Sequence, residues 1–308
     1  MEKRPLGRTG FSVSVVGFGA APAAFLKADA QRIAQMLNQL LDAGVNVIDT
    51  AASYPGSEQF IGEYLSPRRK DFVLISKCGQ QVDGLTAPAW SRQIVLQSVD
   101  RALRLLRTDV IDVMLLHSCD LQTLKSGDAL DGLLEARRAG KIRFAGYSGD
   151  NDAAAYAATL PDVHVVEMSI NICDQANIDV ALPVARKNNV GVIAKRPIAN
   201  AAWKGLDQQP GMYRDYAKPY VERLGKMGLT PKDLGFEGDP AQVWPEIALR
   251  FTLSQPGVST AIIGTTNLQN AMANLAYARK GPLPPQVIQK IRDAFRAAAP
   301  AEGWPGLT

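Results

Sequence analysis

The chain has 308 residues, 46% of them hydrophobic and 21% charged, the composition of an ordinary folded protein without a disordered tail. Its 34 basic and 30 acidic residues leave a net charge of +4, too small and too scattered to argue for nucleic acid, though compatible with an anionic cofactor. No apolar run reaches membrane-spanning length, the opening MEKRPLGRTG lacks a signal-peptide core, and the three widely spaced cysteines match no zinc pattern. The expectation is therefore a cytoplasmic protein in a reducing compartment, without membrane or nucleic-acid partners and monomeric by default.

In chain order, residues 4 to 17 read as a small hairpin turning at Arg8 to Gly10. Apolar residues at helical spacing then predict a helix over 29–43, stopped by Gly44, before a strand at 45–49. The same alternation gives helices near 57–65, 91–107, 126–139, 151–159, 177–188 and 241–254. Between them lie strands at 72–76, 110–116, 142–147, 163–167, 190–194 and 258–263, and helices near 267–279 and 284–298 close the chain. With one further strand near Val15 to Gly17, eight strands each lead into a helix, the pattern of a (β/α)8 barrel over the whole of 1–308. A doubly wound sheet is the competing architecture. Its glycine signature fails here: GFGAAP at Gly17 to Pro22 lacks the third glycine, and Pro22 falls where a helix should already be running.

The rhythm breaks over about 198–240, a stretch rich in Gly, Pro, Trp203, Tyr213, Tyr216 and Tyr220, with a candidate helix at 213–227. It reads as an insertion over the active-site face, too short to hold a core of its own.

In such a barrel, chemistry belongs at the C-terminal strand ends. Those ends carry Asp49 after VNVI, Lys77 after FVLIS, His117 after VIDVMLL and Ser148 after IRFAGY, with Tyr54 in the turn after Asp49. Singly, each has a structural reading: Asp49 and Lys77 as an ion pair, His117 as a hydrogen-bonded core residue, Ser148 as a helix cap. Four polar groups on successive strand ends favour a site. A tyrosine with a pKa of about 10 needs a nearby ammonium to lower it before it can act as an acid near neutrality. Lys77 would supply that charge, Asp49 would hold Lys77, and Tyr54 would protonate a developing alkoxide. His117 would orient the carbonyl oxygen. No side chain supplies hydride, so a cofactor is required.

These stretches are similar to the aldo-keto reductase family over essentially the whole chain. The matching segments are RPLGRTGFSVSVVGFGA, VIDTAASYPGSE, SKCG, SVDRALRLLRTDVIDVMLLH, GLLEARRAGKIRFAGYS and VSTAIIGTTNLQNAMANL. The resemblance implies a (β/α)8 barrel with an N-terminal hairpin and an extra C-terminal helix, and a catalytic tetrad of Asp49, Tyr54, Lys77 and His117. It also implies no metal, and a nicotinamide cofactor lying across the barrel mouth. Ser148 falls on the serine that holds the carboxamide, while Gly149 replaces the usual asparagine and Glu167 the usual glutamine. Lys195 replaces the stacking aromatic and is followed by Arg196 and Pro197; Arg196 could stack its guanidinium or bind the pyrophosphate. Gly264, Thr265, Thr266, Asn270 and Asn274 match the adenosine-phosphate site, without the arginine that often meets a 2′-phosphate. The resemblance therefore implies NADP, with NAD possible, and reduction of a small aldehyde or ketone. Phe18, Phe25, Tyr54, Trp90 and the insertion aromatics are candidate walls of an apolar pocket. An accessory cofactor-binding subunit with little turnover is the alternative. A Schiff-base enzyme using Lys77 is a poorer one, because Asp49 would keep that amine protonated.

Overall fold

A computed structural model describes residues 1–26, 29–209, 211 and 213–307. Strands β1 (Lys3–Pro5) and β2 (Ser12–Ser14) pair antiparallel as the expected hairpin. Eight parallel strands then close a barrel: β3 (Val16–Gly19), β4 (Val47–Asp49), β5 (Val73–Cys78), β6 (Ile111–His117), β7 (Ile142–Ser148), β8 (Val163–Ser169), β9 (Gly191–Lys195) and β10 (Val258–Ile263). They run around the barrel in chain order, with β10 joining β3. A closed parallel barrel excludes the doubly wound sheet.

Leu6 and Val13 of the hairpin region pack in one cluster with Val47, Val73, Ile75, Val113, Leu115, Val165, Ile193 and Ile262. The hairpin therefore plugs the barrel end opposite the strand C-termini. Because side chains alternate along a strand, the residue two places after each of these inward positions is also inward. Two after Val47 is Asp49, two after Ile75 is Lys77, and two after Leu115 is His117. Two after Val165 is Glu167, and two after Ile193 is Lys195. The apolar interior thus gives way, one layer further on, to five polar side chains. On β7 the inward place below Ser148 is Gly146, where a Cβ would lie 2.4 Å from both a Leu115 methyl and the Val165 carbonyl oxygen. Only glycine lets the barrel close there.

The helices pack outside this sheet. Asp29, Ser91, Asp239 and Asn267 cap four of them through side-chain oxygens. The helix expected at 126–139 is Asp128–Arg138, preceded by a further short helix, Leu121–Ser126, which ends where Gly127 takes φ +84°. Two expectations need correction. The helix expected at 177–188 divides into Ala176–Asp179 and Leu182–Lys187, with Pro183 in the first turn of the second. Pro22 does not bar a helix: Ala21–Phe25 is helical, with the proline in the first turn, where its missing N–H costs nothing.

The insertion holds the helix Tyr213–Met227 as expected, flanked by 3-10 turns at Ala199–Lys204 and Lys232–Leu234. Its Ala202, Tyr220, Leu224, Met227 and Leu234 form a second buried cluster with Trp244, Ile247, Phe251, Val287, Ile291 and Phe295. The segment thus shares a core with the helices Pro240–Leu253 and Pro285–Ala298, which its own length could not have supplied.

Candidate active site

Four of the expected residues converge at the mouth. The Lys77 ammonium donates to both Asp49 carboxylate oxygens at 2.6 and 2.7 Å and to the Thr50 carbonyl at 3.0 Å. It stands 5.3 Å from the centre of the Tyr54 ring. The His117 ring meets the Tyr54 ring edge-on at 5.9 Å between centres, and Phe25 does the same from the other strand-to-helix connection at 5.7 Å. Ser53 Oγ lies 3.2 Å from His117 Nδ1, and Gln80 donates to the His117 carbonyl.

Burial governs the electrostatics. The Lys77 side chain has no exposed surface. Burial alone would lower its pKa, but the carboxylates of Asp49 and Glu167 outweigh that and hold it protonated well above the usual range. Asp49 is pushed well above the carboxylate range by burial and by the negative charge of Glu167, with Lys77 opposing. Its two short contacts to the ammonium mark an ion pair. Tyr54 corrects the expectation that Lys77 lowers the phenol: burial pushes its pKa up to about 12, and the lysine offsets only part of that rise. Tyr54 therefore keeps its proton through neutrality.

His117 is held well below its ordinary pKa by burial and by the charges of Lys77, Lys195 and Arg196, so it is neutral near neutrality. A buried neutral histidine makes stability depend on pH. Below an unfolded value of about 6.5 the unfolded chain takes up a proton that the folded site refuses, so this contribution is intact above that pH and is lost on acidification. We expect His117→Gln to flatten the fall of the melting temperature between about pH 6.5 and 5, measured by thermal denaturation. An unchanged slope would count against the burial of a neutral ring.

The residues expected to hold a cofactor divide. Ser148 does not cap the following helix; its hydroxyl donates to Glu167 Oε1 at 3.1 Å. Glu167 Oε2 is buried with no hydrogen-bond partner among the described residues and lies 3.5 Å from the Lys77 ammonium. Lys195 is bound to Asp150 at 3.0 Å, and Asp150 also accepts from the Ser169 N–H and Asn177. The Arg196 guanidinium lies 5.5 Å from the Tyr216 ring centre and donates to the Leu307 carbonyl. The Pro197 carbonyl accepts from Thr252. Away from this group, Thr265 Oγ1 accepts the Asn267 N–H, and Asn267 Oδ1 accepts the Asn270 N–H at the start of helix Leu268–Arg279. Thr266 is partly exposed, and Asn274 is buried on the inner face of that helix. Gly264 is pressed against Pro22 and the Gly19 carbonyl, where a Cβ would stand within 2.3 to 2.6 Å.

Several contributors were not expected. Asp150 steadies Lys195, and Ser53 and Gln80 steady His117, through the bonds given above. Tyr213, on the insertion helix, has a buried hydroxyl with no hydrogen-bond partner among the described residues, and burial followed by the neighbouring Tyr54 raises its pKa. The insertion is anchored here by Tyr220, which donates to Asp174 at 2.9 Å, and by Arg223, which holds the Cys173 and Pro305 carbonyls. Of the candidate pocket walls, Phe25 faces Tyr54, whereas Phe18 is buried in the barrel core and Trp90 packs on Gly79.

The fold has counterparts among known proteins. The holo form of an aldo-keto reductase from Bacillus halodurans superposes with a TM-score of 0.78, covering 96% of each chain at 24% identity. An L-galactose dehydrogenase of Arabidopsis thaliana is 26% identical over 90% of this chain and 88% of its own. An oxidoreductase of Bacillus subtilis described as uncharacterized is 25% identical over 95% of this chain and 96% of its own. The model of the aldo/keto reductase family matches residues 15–296, nearly the whole barrel, and the chain belongs to that family of oxidoreductases.

Proposed function

We propose that the protein is an NAD(P)H-dependent reductase of small aldehydes or ketones in which Tyr54 is the proton donor. The observation that carries the reading is the buried Lys77 ammonium, gripped by Asp49 and set beside the Tyr54 ring, with a neutral His117 on the same ring. An accessory subunit that only binds a cofactor has no use for such a proton site, and that reading is not favoured.

Residues at the mouth fit a nicotinamide. The unpartnered Glu167 Oε2 can accept from a carboxamide NH2, with Ser148 beside it. Gly264, Thr265, Thr266, Asn270 and Asn274 would take the adenosine end, and Lys195, Arg196 and Pro197 would border the middle. When bound, the nicotinamide supplies hydride to the carbonyl carbon. His117 donates a hydrogen bond to the carbonyl oxygen and fixes its direction. Tyr54 gives its phenolic proton to that oxygen as negative charge develops there, leaving a phenolate beside Lys77. The lysine stabilises that phenolate, Asp49 keeps the lysine charged, and solvent restores the proton. Phe25 and Tyr213 shield the reacting centre from water.

Assay of a panel of aldehydes, ketones and aldoses tests the reading, following NADPH and NADH consumption and the reverse oxidation. The sugar substrate named for the L-galactose dehydrogenase relative is the reason to include aldoses. Turnover of at least one carbonyl class is expected; tight cofactor binding with no turnover in either direction would overturn it. We further propose NADP as the preferred cofactor. Neither Thr266 nor Asn270 supplies a cation for a 2′-phosphate, so the preference is expected to be modest, within about tenfold in Kd, for want of a bidentate arginine. A clear NAD preference in side-by-side titrations would reverse this assignment.

A further inference from the structure

Glu167 faces the tetrad from across the barrel. It projects from β8, three strands away from β5, and its inward parity brings Oε2 to 3.5 Å from the Lys77 ammonium. Its other oxygen is fixed by Ser148 at 3.1 Å, and the side chain is essentially without exposed surface. We propose that Glu167 is a positioning residue for the proton donor: it shares Lys77 with Asp49 and thereby sets the pH above which Tyr54 surrenders its proton. The inference rests on Tyr54 being the donor.

An ammonium paired with a single carboxylate is close to neutral as seen from a neighbouring phenol, and a phenolate can form beside it at modest cost. A second buried carboxylate makes the group of three net negative, which opposes a further negative charge on Tyr54. The other groups facing Tyr54 and Lys77 work the opposite way or are neutral. Arg196, beyond β9, favours the phenolate; His117 on β6 is uncharged, and Phe25 and Tyr213 carry no charge near neutrality. Glu167 thus biases the site toward a protonated Tyr54, the form that reduction consumes and that oxidation, needing a base, has to lose.

The test is Glu167→Gln, which keeps the shape and the bond to Ser148 while removing the charge. Tyr54 ionisation is followed by ultraviolet difference titration against Tyr54→Phe in the same background, so that the other tyrosines cancel. The midpoint of the Tyr54 transition is expected to fall by about one pH unit in the variant, which on the lower limb, well below both midpoints, is roughly tenfold more phenolate than in the parent. Glu167→Asp, which retains the charge, should remain near the parent, and it stands in should the glutamine variant fold poorly: a loss of charge control there with folding intact would equally count against the proposal. An unmoved Tyr54 transition in Glu167→Gln, with only the Kd for NADPH or NADH changed, would overturn it in favour of a purely carboxamide-binding role. The two readings fail separately. Undiminished turnover in Tyr54→Phe sinks the donor assignment itself, whereas an inactive Tyr54→Phe with an unmoved Glu167→Gln titration sinks only the role of Glu167.

Discussion

Tyr54→Phe should lower kcat for carbonyl reduction by on the order of 10²–10⁴-fold, the usual contribution of a positioned general acid, while the Kd for the nicotinamide cofactor changes little. The substitution removes one hydroxyl and leaves the ring. The ring's contacts with Phe25 and His117 and its place beside the Lys77 ammonium therefore persist, and the fold should be intact. The loss should appear in kcat and kcat/KM together, because the proton is delivered only as the alkoxide forms and not in the ground-state complex. Steady-state kinetics with any panel substrate, paired with cofactor titration by fluorescence quenching, is the measurement. A variant retaining more than about a tenth of parental kcat would mean that water or His117 delivers the proton. Since Tyr54 keeps its proton up to about pH 12 in the parent, the parental reduction rate should also show no acid-donor limb through neutrality. A fall centred near pH 7 would have to come from another group.

The architecture was legible because each strand carries its own parity. VNVID, FVLISK and IDVMLLH each end two residues beyond a core-facing position, so their last polar residue must face the same interior. Recognising strand ends was enough to bring Asp49, Lys77 and His117 together. The role of Glu167 was not legible in the same way, although its parity is identical. Its contact with Lys77 spans the barrel, and only closure with the glycine at 146 decides how near the far wall comes. The sign of the Tyr54 shift failed for a related reason. Charge and burial oppose one another there, and spacing along the chain reveals the neighbouring lysine but not the depth at which both sit. The broken helix before Pro183 is a local matter, where turn chemistry overrode an unbroken apolar pattern. The contact of Arg196 with the Leu307 carbonyl had no signal at all, because a backbone acceptor has no residue type to announce it.

Lys77→Met is expected to cost more in stability than any other single change in the site. Methionine fills a similar volume, so packing is not the issue. What remains is Asp49 and Glu167, both buried and both deprived of the ammonium that lay 2.6 Å from one and 3.5 Å from the other. Removing one partner of a buried pair typically costs on the order of 3–5 kcal/mol, because the uncompensated charge stays behind. The deficit should depend on pH in a definite direction. Without the lysine, Asp49 loses the one influence that opposed its burial, so its folded pKa lies further above the unfolded value of about 3.9. A group whose folded pKa is raised binds more protons folded than unfolded, so its penalty is greatest at high pH and shrinks as pH falls toward that unfolded value. The gap in urea midpoint between parent and Lys77→Met should therefore narrow from pH 8 to pH 5. Adding Asp49→Asn to Lys77→Met should recover a large part of the loss at pH 8, since a neutral amide replaces a stranded charge. A Lys77→Met protein as stable as the parent at pH 8, or a gap that widens on acidification, would show that the lysine is not the counter-charge for the two carboxylates. The reading of the mouth as a proton site organised around one buried ammonium would then have to be abandoned.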